Sequence, residues 1–117
     1  MANETKSEAE QLAQRQLDRY NAHDLEGFLA VYAEDAKLYD LIDGTVIAQG
    51  REAMRERYRK RFEEDRVQAE LVNRMVIGSR VIDHEHVTRE GSDRVIQAAA
   101  IYETHGGRIV AAWFVNE

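Results

Sequence analysis

The chain has 117 residues, enough for one domain with a real core and too few for two. A composition of 44% hydrophobic and 32% charged residues suits a globular protein, and a net charge of −6 argues against nucleic acid or an anionic membrane surface as a partner. The absence of Cys excludes disulfides, thiolate catalysis and Cys-ligated metal. The polar N-terminus, MANETKSEAE, has no apolar signal segment, and no stretch approaches ~18 consecutive apolar residues, so a cytoplasmic location without a membrane partner is expected.

Taken in order, Thr5 to Ala22 reads as a helix. Ser7 with Glu10, or Thr5 with Glu8, fits a capping box. Ala9, Leu12, Ala13, Leu17 and Tyr20 form its apolar stripe. Gln16 falls within that stripe, as an amide wetted at the helix edge or as a hydrogen-bonder lining a pocket. Asp24 is a good N-cap for a short second helix, Leu25 to Tyr32, ended by Glu34-Asp35. A strand through Ala36 and Leu38 follows, then an Asp43-Gly44 turn and a returning strand at Val46-Ile47-Ala48. A third helix runs from Gly50 to about Arg66, with Ala53, Met54, Tyr58 and Phe62 as its buried stripe. Its run of Arg and Lys is interspersed with Glu52, Glu56, Glu63 and Glu64, which reads as a solvated, ion-paired face.

From Val67 the texture turns to β. Val67–Ile77, Arg80–Arg89, Arg94–Thr104 and Arg108–Val115 are strand-like runs separated by short Gly-bearing turns, which implies an antiparallel meander. Helices followed by a curved antiparallel sheet make an α+β architecture in a single domain over 1–117.

Two polar clusters interrupt apolar strand faces. Asp40 shares a side with Ala36 and Leu38, so an inward Ala36/Leu38 face carries Asp40 inward too. Burial raises the pKa of a carboxyl toward the range useful for a general base. Asp40 is thus the candidate catalytic residue, expected within reach of Gln16, Tyr32, Tyr58, Asp83 or Glu85; alternatively it caps the Asp43-Gly44 turn and stays out of the cavity. The second cluster is Asp83-His84-Glu85-His86. Strand parity sends either Asp83 and Glu85 or His84 and His86 into the pocket. Two His without a third ligand or an HExxH pattern do not make a metal site, and no Gly loop cradles phosphate, so neither metal nor cofactor is expected.

In the order Asp24-Leu25-Glu26, Tyr32-Ala33-Glu34-Asp35-Ala36, Asp40, Gly50-Arg51-Glu52 and Gly107-Arg108-Ile109, the chain resembles the nuclear transport factor 2-like superfamily, which includes ketosteroid isomerases and SnoaL-like polyketide cyclases. The resemblance implies a cone-shaped α+β barrel, three N-terminal helices packed in the curved sheet, a pocket at the open end, and dimers packed through the sheet. It favours Asp83 and Glu85 as the inward pair and puts Asp40 in the place of the isomerase base. The family's oxyanion Tyr falls at Gln16 and its oxyanion Asp near Ala99, so steroid isomerisation by the family mechanism lacks both donors. The expected function is a pocket for a hydrophobic small molecule, lined by Gln16, Tyr32, Tyr58, Asp83, Glu85 and Phe114, with isomerase, cyclase or hydratase chemistry at Asp40. The alternative is a non-catalytic binding or dimerisation module of the same fold. Apolar groups on both faces of the last strand, Val110, Ala112 and Phe114 on one and Ile109, Ala111, Trp113 and Val115 on the other, predict a homodimer through the outer sheet.

Overall fold

The computed structural model describes residues 6–117, so the Thr5 end of the first helix lies outside the described residues. Helix α1 (Glu8–Asn21) begins where Ser7 Oγ accepts the Glu10 N–H at 3.1 Å, and it buries Ala9, Leu12, Ala13, Gln16 and Leu17. Helix α2 (Leu25–Ala30) is capped by the Asp24 carboxylate, which accepts the Gly27 N–H at 3.0 Å. It is shorter than its sequence suggests. Tyr32 opens strand β1 (Tyr32–Asp40), and Glu34 and Asp35 lie inside that strand. The cause is tertiary: the Ile109 N–H donates to the Val31 carbonyl at 3.0 Å, Tyr32 registers with Ile109, and both side chains are fully buried.

The turn at Asp43-Gly44 leads into β2 (Val46–Gln49), with Gly44 at φ +75°, where a side chain would be strained. Helix α3 (Gly50–Lys60) continues into a single π-helical turn, Arg61–Asp65, closed by Arg66 in the left-handed region at φ 51°. Met54, Tyr58 and Phe62 are buried as their spacing of four predicts; Ala53, one position to the side of that row, is exposed.

Strands β3 (Gln68–Ile77), β4 (Arg80–Thr88), β5 (Ile96–His105) and β6 (Arg108–Asn116) form the expected antiparallel meander. The N-terminal hairpin completes it: β1 pairs with β6 in parallel, giving one six-stranded mixed sheet in the order β2-β1-β6-β5-β4-β3. The ends β2 and β3 do not meet. The α+β cone is therefore open rather than a closed barrel. The core lies between the sheet and the helices, where the rings of Phe28, Tyr58, Phe62 and Tyr20 pack with centroids as close as 4.5 Å. Each such pair adds roughly 0.5–1.5 kcal/mol beyond area burial, which fixes α1 and α3 against each other at the site described next. No helix among the described residues is long and apolar enough to cross a membrane.

Candidate functional site

A cavity of about 180 Å³ opens between α1, α3 and the inner face of β4, β5 and β6. Phe28, Val87, Ala98, Ala100 and Phe114 contribute to the apolar part of its wall. The polar lining residues are Gln16, Tyr20, Tyr58, Tyr102, Glu85 and Asn116, with Arg57 from α3 and Arg61 from the π-helical turn that continues it. Of the residues named from the sequence, Gln16, Tyr58, Glu85 and Phe114 border this cavity, and Tyr32 and Asp83 do not.

Glu85 is placed by strand parity. Val81, Asp83 and Glu85 alternate inward along β4, while His84 and His86 face the other way. His84 meets Gln97 Oε1 at 2.7 Å on that outer face, and no group of three metal-ligating side chains exists among the described residues. Glu85 is only 8% exposed, and no protein hydrogen bond holds its carboxyl among the described residues. Burial, reinforced by the charge of Asp83 and partly offset by Arg74, raises its pKa to about 7.

Asp83, one pleat away, is fully buried behind the wall and is not part of the lining. Arg74 Nε donates to its Oδ1 at 2.7 Å and Arg74 Nη2 to its Oδ2 at 2.9 Å, a two-pronged ion pair. Arg74 Nη1 also donates to Gln14 Oε1 at 2.9 Å, tying α1 to the sheet. Tyr32 likewise stands behind the wall, with its hydroxyl donating to Gln16 Oε1 at 3.4 Å. Burial raises the pKa values of Tyr20, Tyr32, Tyr58 and Tyr102, and the charge of Glu85 adds to each. All four hydroxyls stay protonated and able to donate.

Asp40 is on the inner side of β1, as parity requires, in register with Phe114 of β6. Its carboxylate turns back on its own loop: Oδ1 accepts the N–H of Ile42 at 2.9 Å and of Asp43 at 3.2 Å. It is half-buried at the end of β1 and does not line the cavity. Of the two placements open to Asp40 in the sequence, the turn cap is the one observed.

Tyr20 and Arg61 carry a role that composition hides. Tyr20 is one turn beyond Gln16 on α1 and shares its face. Arg61 Nη2 donates to Tyr20 Oη at 3.0 Å, which leaves the hydroxyl hydrogen free to point into the cavity. The helical stripe that marks Tyr20 as core is also the signal that it borders any pocket next to Gln16.

An open mixed sheet with three helices across its concave side is the fold of the nuclear transport factor 2-like class. Within that class the chain belongs to the SnoaL-like domain family, whose pattern matches residues 13–112. No curated protein matches it. The chain is similar in structure to a cystatin-fold protein from Novosphingobium aromaticivorans, at 24% identity and TM-score 0.81 over 95% of this chain and 99% of that one. A candidate ketosteroid isomerase from Kribbella flavida superposes with TM-score 0.82 at 17% identity, over 94% of this chain and 78% of its own. A candidate polyketide cyclase from Sinorhizobium meliloti does so with TM-score 0.78 at 16% identity, over 94% and 100%. At these identities the likeness is one of fold.

Proposed function

We propose that the protein binds a small, mainly apolar carbonyl compound and moves a proton on it, with Glu85 as the proton carrier. The observation that carries this reading is the carboxyl itself, open to an apolar cavity and held near pKa 7 by burial. A group poised there can both take and return a proton at neutral pH. The names of the Kribbella and Sinorhizobium neighbours, an isomerase and a cyclase, are those of proton-transfer enzymes and agree with it.

Tyr20 would serve as the electrophilic donor. Its hydroxyl, polarised by Arg61, replaces the family donors whose positions hold Gln16 and Ala99. Asp40 has a structural duty in the turn and no part in this scheme. Size limits the substrate: about 180 Å³ is close to the ~150 Å³ cavity that admits benzene and below the ~300–1,000 Å³ of drug-sized pockets. A body of one or two rings matches this space best.

The test is exchange of α-hydrogens for deuterium on a panel of one- and two-ring enones, followed by proton NMR. Wild type accelerates exchange of at least one compound, Glu85→Gln lowers the rate by about 10²–10⁴, and Asp40→Asn retains it. Full activity in Glu85→Gln, or loss in Asp40→Asn, would move the base back to Asp40. No acceleration with any compound would leave the non-catalytic binding module as the function.

A further inference from the structure

The arginines of α3 divide into two populations. Arg55 pairs with Glu26 and with Glu52 at 3.2 Å, and Arg59 lies within 3.6–3.9 Å of Glu56, Glu63 and Glu64. These are the solvated ion pairs that the sequence predicts. Arg57 and Arg61, also four apart, share the other flank and face the cavity. Neither has a carboxylate within ion-pair distance among the described residues.

The cavity adjoins a second recess of about 150 Å³, with which it shares Arg61, Val87 and Ile96. That recess adds Arg89 and Arg94, again without carboxylate partners among the described residues. Its one acid, Asp65, is 3.5 Å from Lys60 Nζ and so already has a cation. Glu90 and Asp93 belong to the same loop but do not line the recess. In a chain of net charge −6, the two adjoining hollows still gather four guanidinium groups without a carboxylate in ion-pair distance among the described residues: Arg57 at the cavity, Arg89 and Arg94 at the recess, and Arg61 at both.

We infer that the ligand of this site is an amphipathic oxyanion, with an apolar body in the cavity beside Glu85 and a carboxylate or phosphate group held at Arg57, Arg61, Arg89 and Arg94. This rests on the pocket reading above and narrows it to a substrate class. Guanidinium forks bind both oxyanions through paired hydrogen bonds, and the apolar wall accounts for the rest of the molecule. Arg61 bridges the two parts, since it borders both hollows and also holds Tyr20.

Calorimetric titration of the full chain with trans-cinnamate, its neutral isostere cinnamamide, and phenyl phosphate tests the inference. At least one of the two anions should bind about ten-fold or more tightly than the amide, the scale of one charge-assisted hydrogen bond. That advantage should shrink as NaCl rises from about 50 to about 500 mM. Arg57→Gln/Arg94→Gln, at two exposed positions that leave the core intact, should remove most of the preference while amide binding is retained. The tighter of the two anions names the group. Equal binding of amide and anions, or a preference that survives the double substitution, overturns the oxyanion assignment and leaves the pocket standing. Failure of all three compounds to bind overturns both.

Discussion

At the scale of single residues, Glu85 and Asp40 differ in what surrounds them rather than in which way they point. Both lie on the inward side of a strand, but Asp40 finds two backbone N–H groups of the turn that follows β1, while Glu85 finds apolar wall and the charge of Asp83. The consequence for stability can be stated with its sign. The folded protein holds the Glu85 proton up to about pH 7, whereas the unfolded chain releases it near 4.5. Between those values the native state binds more protons, so stability falls as pH rises and the loss is complete above about 7. At ~1.4 kcal/mol per pH unit the full loss is about 3 kcal/mol. Glu85→Gln removes the ionisation, so it should raise the melting temperature at pH ~8 and leave it nearly unchanged near 4.5. Thermal melts of both proteins at the two pH values check this; equal shifts at both would mean that the carboxyl is better solvated than its burial implies. In the sequence, parity left Glu85 or His84 as the inward residue, the resemblance favoured Glu85, and nothing ranked it above Asp40. Parity gives direction, and only the neighbours brought by other elements decide desolvation.

At the scale of elements, interruptions of regular geometry explain which parts of the site were legible. Along β4 the register is unbroken and burial alternates, with Val81, Asp83 and Glu85 inside, one of the two parities that alternation left open; in β1, Ala36 and Leu38 are inside even though the pairing with β6 shifts between Tyr32 and Lys37. In β6 it failed. A bulge at the Glu103/Thr104 pairing puts Ile109, assigned by alternation to the outer face, on the inside with Ala112 and Phe114. A bulge in β3 at Leu71/Asn73 likewise turns Arg74 inward, opposite Asp83. Bulges carry no strong residue signature, so the Arg74–Asp83 pair was invisible in the sequence. Its removal gives an expectation distinct from that for Glu85. Arg74→Ala strands a fully buried carboxylate and should cost about 3–5 kcal/mol in a urea denaturation series. It should also push the pKa of Glu85 further up, because Arg74 is the charge that restrains it. A cost under ~1 kcal/mol, the range of surface pairs, would show that Asp83 reaches water or takes up a proton.

At the scale of the whole molecule, the outer face of the sheet is the feature without a partner. Register places Tyr39, Trp113, Ile101, Ile82 and Met75 side by side in one row across β1, β6, β5, β4 and β3. The Tyr39 and Trp113 rings stack at 5.4 Å, and Met75 at the end of the row is 52% exposed. The helices all cover the opposite, concave face, so nothing among the described residues shields this row. Continuous apolar rows of this kind are uncommon on monomers and mark association surfaces. We propose that two copies pack sheet to sheet over it, as a twofold interface in which the Trp113 region of one protomer meets the same region of the other. The β6 bulge supports this by drawing Ile109 into the core and leaving the aromatic pair as the most prominent apolar group on the outer face. Light scattering should give a dimer at micromolar concentration, and Ile101→Asp/Trp113→Asp should give a folded monomer, since both side chains are half-buried on the face away from the cavity. A monomeric wild type would remove the interface. A dimer that survives both charges would place it elsewhere on the surface, with the exposed β2 edge at Val46 as the next surface to substitute.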